Sequence, residues 1–405
     1  MKRVLILGGG GAMARAAIAS AAACSAVDSI VVADRIKAAA ERAVTASAQQ
    51  DAQIVAAELD LFDKAALERA IADCDAVLNC AGPFYKTGVH VLEAAIAAKR
   101  PYLDICDDWE PTQDMLRLDG AARAAGVTAV IGMGASPGVT NLLARVAASE
   151  LERCDSLVTG RNLDGKQESI LEAERRVPGS HAAILHWLHQ LSGEIEIWRN
   201  GRAERARPFA ALKATPPGLK PRTLYTVGHP APLTLPRVLP DLESVVNVMA
   251  LSRAETAMAR ALSARVAAGT LTLEQAAALV LKPSNLPFAI RFRAFWSDLA
   301  DRFRPLPDYP PLFAIADGVK HGKRRKVAAW VTRLPPPGMA GAIGVPLAVA
   351  LKMALTHRLD RPGVFAPEEI IDPHIFFEEF AIRATPKGTA PGPLIHIETL
   401  EEEAA

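Results

Sequence analysis

The stretch LGGGGAMARA, Leu7–Ala16, decides how this chain is read. It follows the apolar run RVLIL and leads into an alanine-rich segment, so it sits where a strand turns into a helix. Gly8 and Gly9 permit a tight turn, and Gly11 lets backbone come close to a pyrophosphate. Ala14 is small enough to hold the helix against the sheet. Ala12 and Met13 open the helix, where unpaired N–H groups and the positive dipole end face an anion. The spacing fits G-x-x-G-x-x-A from Gly8 and G-x-G-x-x-A from Gly9. Four glycines match many patterns; the position after the first strand carries the reading.

Outward from the loop, the same alternation repeats. SIVVAD (Ser29–Asp34), QIVAAELD (Gln53–Asp60), AVLNCAG (Ala76–Gly82), YLDICD (Tyr102–Asp107) and TAVIGMG (Thr128–Gly134) are short apolar runs separated by helical segments. Continuous apolar strands alternating with helices imply a parallel sheet covered on both faces. Ligands of such sheets sit at the carboxyl ends of the strands. From about Asp155 to Arg333 the pattern changes to polar–apolar alternation. EIEIWRNGRAERA turns on Asn200-Gly201, and LFAIADGVKHGKRRKVAAWVTRL turns near His321-Gly322. AAILHWLHQL, SRAETAMARALSARVAAG and LTLEQAAALVL read as helices, and the proline-dense stretch Pro208–Pro240 as long crossing loops.

The fold class expected is therefore α/β: a Rossmann doubly wound parallel sheet with an inserted α+β domain built on a mixed or antiparallel sheet. The expected domains are 1–135 for dinucleotide binding and 136–338 for substrate binding and dimerisation. Residues 339–385 return to the Rossmann domain and 386–405 form a tail.

Composition narrows the function classes. The chain has 405 residues, 50% of them hydrophobic, ample for a core. A formal net charge of +1 gives no global field for nucleic acid or a membrane surface, so neither is an expected partner. KHGKRRK, Lys320–Lys326, is short and lacks interleaved aromatics, as a solvated hairpin tip would. MAGAIGVPLAVALKMAL, Met339–Leu355, holds Pro346 and Lys352 and falls short of a membrane span, so a buried helix is expected. The amino terminus does not read as a signal peptide. Five cysteines with no C-x-x-C pair read as reduced thiols of a cytoplasmic protein, with no metal expected.

Candidate site residues follow from the strand ends. Asp34 closes the second strand 20 residues after Ala14, where a carboxylate takes the adenine ribose hydroxyls, which favours NAD. The neighbouring Arg35 can stack on adenine or pair with a 2′-phosphate. Asp60 either reaches the adenine or caps the next helix. In NCAGPF, Ala81 and Gly82 let backbone pass close to a ribose, Pro83 fixes the turn, and Phe84 can wall the pocket. YLDICDD gathers Asp104, Asp107 and Asp108 at a strand end, for proton transfer or for poising an amine, or to cap the following helix. GMGASPGVTN bends through Ser136 and opens a helix at Asn141, whose amino terminus can hold a substrate carboxylate or the cofactor amide. In AERRVPGSHAAILHWLHQL, Arg175 or Arg176 can clamp a carboxylate, and His181 in a first helical turn would stay neutral as a base. His186 and His189 read as core or interface residues; Tyr225 and His229 are weaker loop candidates.

Taken together, VLILGGGGAMARA, VVADR, NCAGPFYKTGVHVLEAAI, PYLDICDD and GMGASPGVTNLLA resemble the saccharopine dehydrogenase-like family, in its saccharopine reductase and carboxynorspermidine dehydrogenase branch. IADGVKHGKRRKVAAWV, GVPLAVALKMAL and RPGVFAPEEIIDPHIFF resemble the family's ending, so the likeness covers both ends of the chain. It implies a Rossmann domain, an inserted domain whose sheet forms a homodimer, and a late helix that returns to the first domain. It also implies NAD or NADP as cofactor and a small-molecule substrate, an amine and carbonyl pair or an amino-acid adduct. The expected activity is reduction of an imine, or oxidation of the secondary amine. On that expectation Asp107 stabilises the cation, His181 transfers the proton, and Asp108, Ser136 and Arg175 bind substrate. C=C reduction, as in lipid-acting relatives, and a non-catalytic dinucleotide sensor are the alternatives.

Overall fold

The computed structural model describes residues 2–47, 52–164, 182–385 and 390–401. In chain order the first part runs β1 (Arg3–Leu7), α1 (Ala12–Ala22), β2 (Ser29–Asp34), α2 (Lys37–Ala46), β3 (Gln53–Glu58), α3 (Lys64–Ala72), β4 (Ala76–Asn79), α4 (Phe84–Ala97) and β5 (Tyr102–Asp104). It continues with α5 (Trp109–Leu116), α6 (Asp119–Ala125), β6 (Thr128–Val130) and α7 (Thr140–Ser149). Next come β7 (Arg153–Asn162), α8 (Ala182–Gln190), β8 (Ile195–Arg199), β9 (Arg202–Ala206), β10 (Ala211–Ala214), β11 (Arg222–Thr226), α9 (Ala231–Thr234) and β12 (Ser244–Ala250). Then follow α10 (Arg253–Ala267), α11 (Leu273–Leu281), α12 (Phe288–Phe303), β13 (Leu312–Lys320) and β14 (Lys323–Val331). The chain closes with α13 (Gly338–Leu355), β15 (Gly363–Phe365), α14 (Pro367–Ile370), α15 (Pro373–Ala384) and β16 (Ile395–Glu401).

Two compact units result, Met1–Leu142 with Leu334–Leu394, and Leu143–Arg333 with Ile395–Ala405. The first carries a seven-stranded sheet in the order β15-β6-β5-β4-β1-β2-β3, with every pairing parallel. Val4, Leu5, Ile6 and Leu7 are all fully buried, as a strand covered on both faces requires. One face packs α3 and α4 through Leu67, Ile71, Val91 and Leu92. The strand order reverses between β1 and β4, the switch point where such sheets bind ligands. α13 packs against α1 through a small residue: a Cβ on Gly344 would lie 2.5 Å from Ala17 N and 2.8 Å from Met13 O. α13 is long and apolar enough to cross a membrane, and 72% of it is buried inside the fold.

The second unit carries a nine-stranded mixed sheet, β10-β11-β12-β7-β13-β14-β16, with β8 paired to β12 and β9. β12 and β7 are parallel; the remaining pairs are antiparallel. Both expected hairpins form, because their turns place residues at positive φ: Asn200 (52°) with Gly201 (70°), and His321 (53°) with Gly322 (75°).

Three expectations need correcting. Residues Ile395–Glu401, read as tail, pair with β14 in register. The proline-dense stretch holds β10, β11 and α9 rather than loops alone. The helix expected after YLDICD is two helices, α5 and α6, because Leu118 and Asp119 begin a new turn.

Candidate dinucleotide site

The glycine loop lies at the carboxyl end of β1 beside that of β4, where Leu7 pairs with Asn79. Each glycine has a separate reason to be glycine. Gly8 has φ +69°, and a Cβ there would lie 2.6 Å from Ala81 Cα. A Cβ on Gly9 would meet Val32 Cγ1 at 2.2 Å, and one on Gly10 would meet Ala39 Cβ at 2.5 Å. Gly11 differs, since an added Cβ would touch only the Gly8 carbonyl, at 3.2 Å. Gly8, Gly9 and Gly10 are thus glycines for packing, while Gly11 leaves its open side to a ligand.

Backbone bonds hold the loop. Gly9 N–H donates to Ala33 O at 3.0 Å, and Gly11 N–H to Gly8 O at 3.0 Å. Gly11 is the N-cap of α1, and no side chain caps it; nor does the first turn carry an acid. The amino end of α1, Ala12 and Met13 included, therefore presents its dipole and N–H groups to an anion. Asp34 accepts from Gly10 N–H on Oδ2 (3.0 Å) and from Ile36 N–H on Oδ1 (2.9 Å). Each oxygen keeps a lone pair for a ribose hydroxyl. Arg35 is exposed, and the exposed Glu58 is the register partner of Asp34 on β3.

Asp60 is exposed and accepts from Phe62 N–H at 3.0 Å. The cap of α3, the other role weighed for Asp60, belongs to Asp63, whose carboxylate accepts from Ala66 N–H.

The turn Ala81-Gly82-Pro83 is pinned from two sides. Asn79 Oδ1 accepts from Ala81 N–H at 3.0 Å, and Thr87 donates its hydroxyl to the carbonyls of Ala81 and Pro83. Phe84 is 4% exposed and packs in the core with Val91 and Met115. Cys80 is no nucleophile at neutral pH: burial, with the nearby Asp104 charge, pushes its thiol up to about 12.

Below this turn lies a polar chain that the sequence only half showed. Asn79, Tyr102 and Asp104 are each fully buried. Asn79 Nδ2 donates to Tyr102 Oη at 3.1 Å, and Tyr102 O–H donates to Asp104 Oδ2 at 2.8 Å. Asp104 Oδ1 accepts from Cys106 N–H (3.0 Å) and Gly132 N–H (2.6 Å). The chain ties the carboxyl ends of β4, β5 and β6 together and ends on Ala81 N–H. Burial raises the Asp104 carboxyl to about 6, against the pull of its three donors.

Of the remaining candidates, Asp107 is half-buried after β5 and Asp108 is buried at the N-cap position of α5. The Asp108 side chain makes no cap hydrogen bond, so it does not serve as the cap read as its alternative role; its carbonyl instead accepts from Thr112 Oγ1 at 2.7 Å. Ser136 is buried and accepts from Thr140 Oγ1 at 2.8 Å. Asn141 donates to Glu368 Oε1 at 2.7 Å, both fully buried; nothing local marks Glu368, 227 residues away, as its partner. Arg175 and His181 lie outside the described residues.

These features fit a dinucleotide: an open glycine, an uncapped helix start, a carboxylate at the end of β2, and a backbone-lined turn at β4. Comparison with known proteins agrees. Residues 4–130 match the family model of the saccharopine dehydrogenase NADP-binding domain. No curated protein matches the chain. Among solved structures, saccharopine dehydrogenase (L-Glu forming) from Saccharomyces cerevisiae superposes with a TM-score of 0.65 at 18% identity, covering 99% of this chain and 100% of its own. A probable dehydrogenase from Thermotoga maritima gives 0.43 at 10% identity, over 94% and 95% of the two chains. Shikimate 5-dehydrogenase from Listeria monocytogenes, in complex with shikimate and NAD, gives 0.25 at 25% identity, over 32% and 45%. The cofactor is NAD or NADP. Residues 4–130 thus match the saccharopine dehydrogenase NADP-binding domain, and the whole chain has the fold of saccharopine dehydrogenase.

Proposed function

We propose that the protein is an NAD(H)-dependent oxidoreductase acting on a C–N bond, which reduces an imine formed from an amine and a carbonyl compound or oxidises the secondary amine. The observation that carries this is the open Gly11 beside Asp34, in a chain with the saccharopine dehydrogenase fold along 99% of its length. Two carboxylates, Asp34 and Glu58, stand in register at the ends of β2 and β3. They would repel a 2′-phosphate, which supports NAD over NADP; Arg35 is the counterweight.

When bound, the nicotinamide supplies or takes up a hydride. The chain's residues do the rest. Ala12 and Met13 at the start of α1 hold the pyrophosphate over the open side of Gly11, on a turn that Gly8 and Gly9 shape; Asp34 holds the ribose, and Ala81, Gly82 and Pro83 form a backbone wall. Imine reduction needs one hydride and one proton and passes from a cationic carbon–nitrogen centre to a neutral amine. Asp107 offsets that cation, and His181 transfers the proton, taking it up in the direction of amine oxidation. Asp108, Ser136 and Arg175 orient the substrate, an amino-acid adduct being the class best matched to a clamping arginine. A homodimer belongs to the same reading.

The test is a fluorescence titration of the purified protein with NADH and NADPH, Asp34→Ala as control, followed by an amine-plus-carbonyl turnover screen. NADH binding weakened by the substitution, with turnover of a pair, supports the proposal. Binding without turnover of any pair makes the protein a sensor. Binding of neither cofactor removes the dinucleotide reading altogether.

A further inference from the structure

α12, FAIRFRAFWSDLADRF, turns its aromatic side to solvent. Phe288 is 72% exposed, Phe292 50%, Phe295 61%, Trp296 53% and Phe303 80%. Consecutive rings touch: the centroids of Phe288 and Phe292 lie 5.8 Å apart, those of Phe292 and Trp296 5.9 Å, and those of Phe295 and Trp296 5.8 Å. At about 100° per residue, these five and Leu299 fall within one arc of roughly 100°. The opposite side is the docked one. Ile290 is the helix's buried residue and packs with Ile184, Leu188 and Leu262. Asp301 pairs with Arg253 of α10 on that side. The helix is therefore amphipathic with its apolar face outward, the reverse of a core helix.

Charge says what the face fits. The same helical geometry puts Arg291 and Arg302 along one margin of the aromatic stripe and Arg293 beyond the other, and Arg304 follows the last turn as the C-cap. All four are exposed. Four arginines stand against two acids, Asp298 and Asp301, and both acids are already paired, with Arg302 and Arg253. A second copy laid on this face would set arginine margins against arginine margins, in parallel or antiparallel pairing. An anionic lipid surface meets the same margins with opposite charge and takes the aromatic stripe into its acyl boundary. Trp and Phe are suited to that depth. We propose that the exposed face of α12 docks the protein onto an anionic lipid surface, lying in the interface without spanning it. The near-zero net charge of the chain does not oppose this, because the field is local to one helix. The proposal does not depend on the cofactor site.

The experiment is flotation of the full-length protein with vesicles of three parts phosphatidylcholine to one part phosphatidylglycerol, and with phosphatidylcholine alone. The protein is expected to float with the anionic vesicles and weakly with the neutral ones. Phe292→Ser/Phe295→Ser/Trp296→Ser and Arg291→Glu/Arg293→Glu should each lower anionic binding by about tenfold or more. These side chains are exposed, so melting temperature and NADH titration should match the parent and show that folding is intact. Failure of the parent to float, or undiminished flotation of the triple variant, overturns the proposal. A parent that does not float but sediments as a dimer, with a monomeric triple variant, would assign the face to a second copy instead.

Discussion

Gly10 donates its backbone N–H to Asp34 Oδ2 at 3.0 Å, so the carboxylate that ends β2 also anchors the loop that ends β1. One residue thus serves loop and ribose together. Asp34→Ala should weaken NADH by about tenfold to a hundredfold, the range for a hydrogen bond to a charged group. It should weaken NADPH less, since a repelling charge is removed with it. Titration of both cofactors against the variant measures this, and an equal loss for the two would take the ribose away from Asp34.

The contrast between Gly8 and Gly11 separates fold from binding. Gly8→Ala meets Ala81 Cα at 2.6 Å and must hold φ +69°, so its melting temperature should fall clearly. Gly11→Ala meets a single carbonyl at 3.2 Å and should melt almost as the parent does. Its methyl group occupies the open side, however, and cofactor affinity should drop. Thermal melts with and without NADH read both effects; a Gly11→Ala variant that binds normally would mean the phosphates lie elsewhere.

Local chemistry explains what the sequence discloses. β1, the glycine turn and α1 are adjacent in the chain, and Asn200-Gly201 and His321-Gly322 carry their turn geometry in residue type alone. The rest depends on distant partners. β16 is an edge strand, and IHIETLE becomes one only when β14 is beside it, some 70 residues earlier. β15 has three residues and is fixed by β6. Among Asp104, Asp107 and Asp108 the sequence shows three similar acids; the donors Tyr102, Cys106 and Gly132, brought together by the ends of β5 and β6, single out Asp104. α12 escapes because its exposed aromatics mimic a core pattern.

The contact between α13 and α1 bears on the cofactor from behind. A Cβ on Gly344 would press on Ala17 N at 2.5 Å and on Met13 O at 2.8 Å, backbone atoms that cannot rotate away. Gly344→Ala should cost about 1–3 kcal/mol. It should also reduce NADH affinity, because Met13 lies in the first turn of α1. Denaturant unfolding measures the first effect and titration of the still-folded variant the second. Lost stability with unchanged affinity would confine Gly344 to packing.

Asp104 makes stability depend on pH in the direction opposite to a salt-bridged acid. Burial raises its carboxyl from 3.8 to about 6, so between those values the folded chain holds a proton that the unfolded chain has lost. Its contribution is therefore greatest below about pH 4, declines as pH rises towards 6, and stays low above that. The ceiling on the decline is about 3 kcal/mol, two units at roughly 1.4 kcal/mol each. Asp104→Asn should flatten this limb. Tyr102→Phe removes a donor that favours the carboxylate, so the decline should extend above pH 6 and stability at pH 8 should fall by about 1–3 kcal/mol. The measurement is denaturant unfolding of parent and both variants from pH 4 to pH 8. A parent-minus-Asn difference that stays level across that range would mean Asp104 is not the buried acid that titrates.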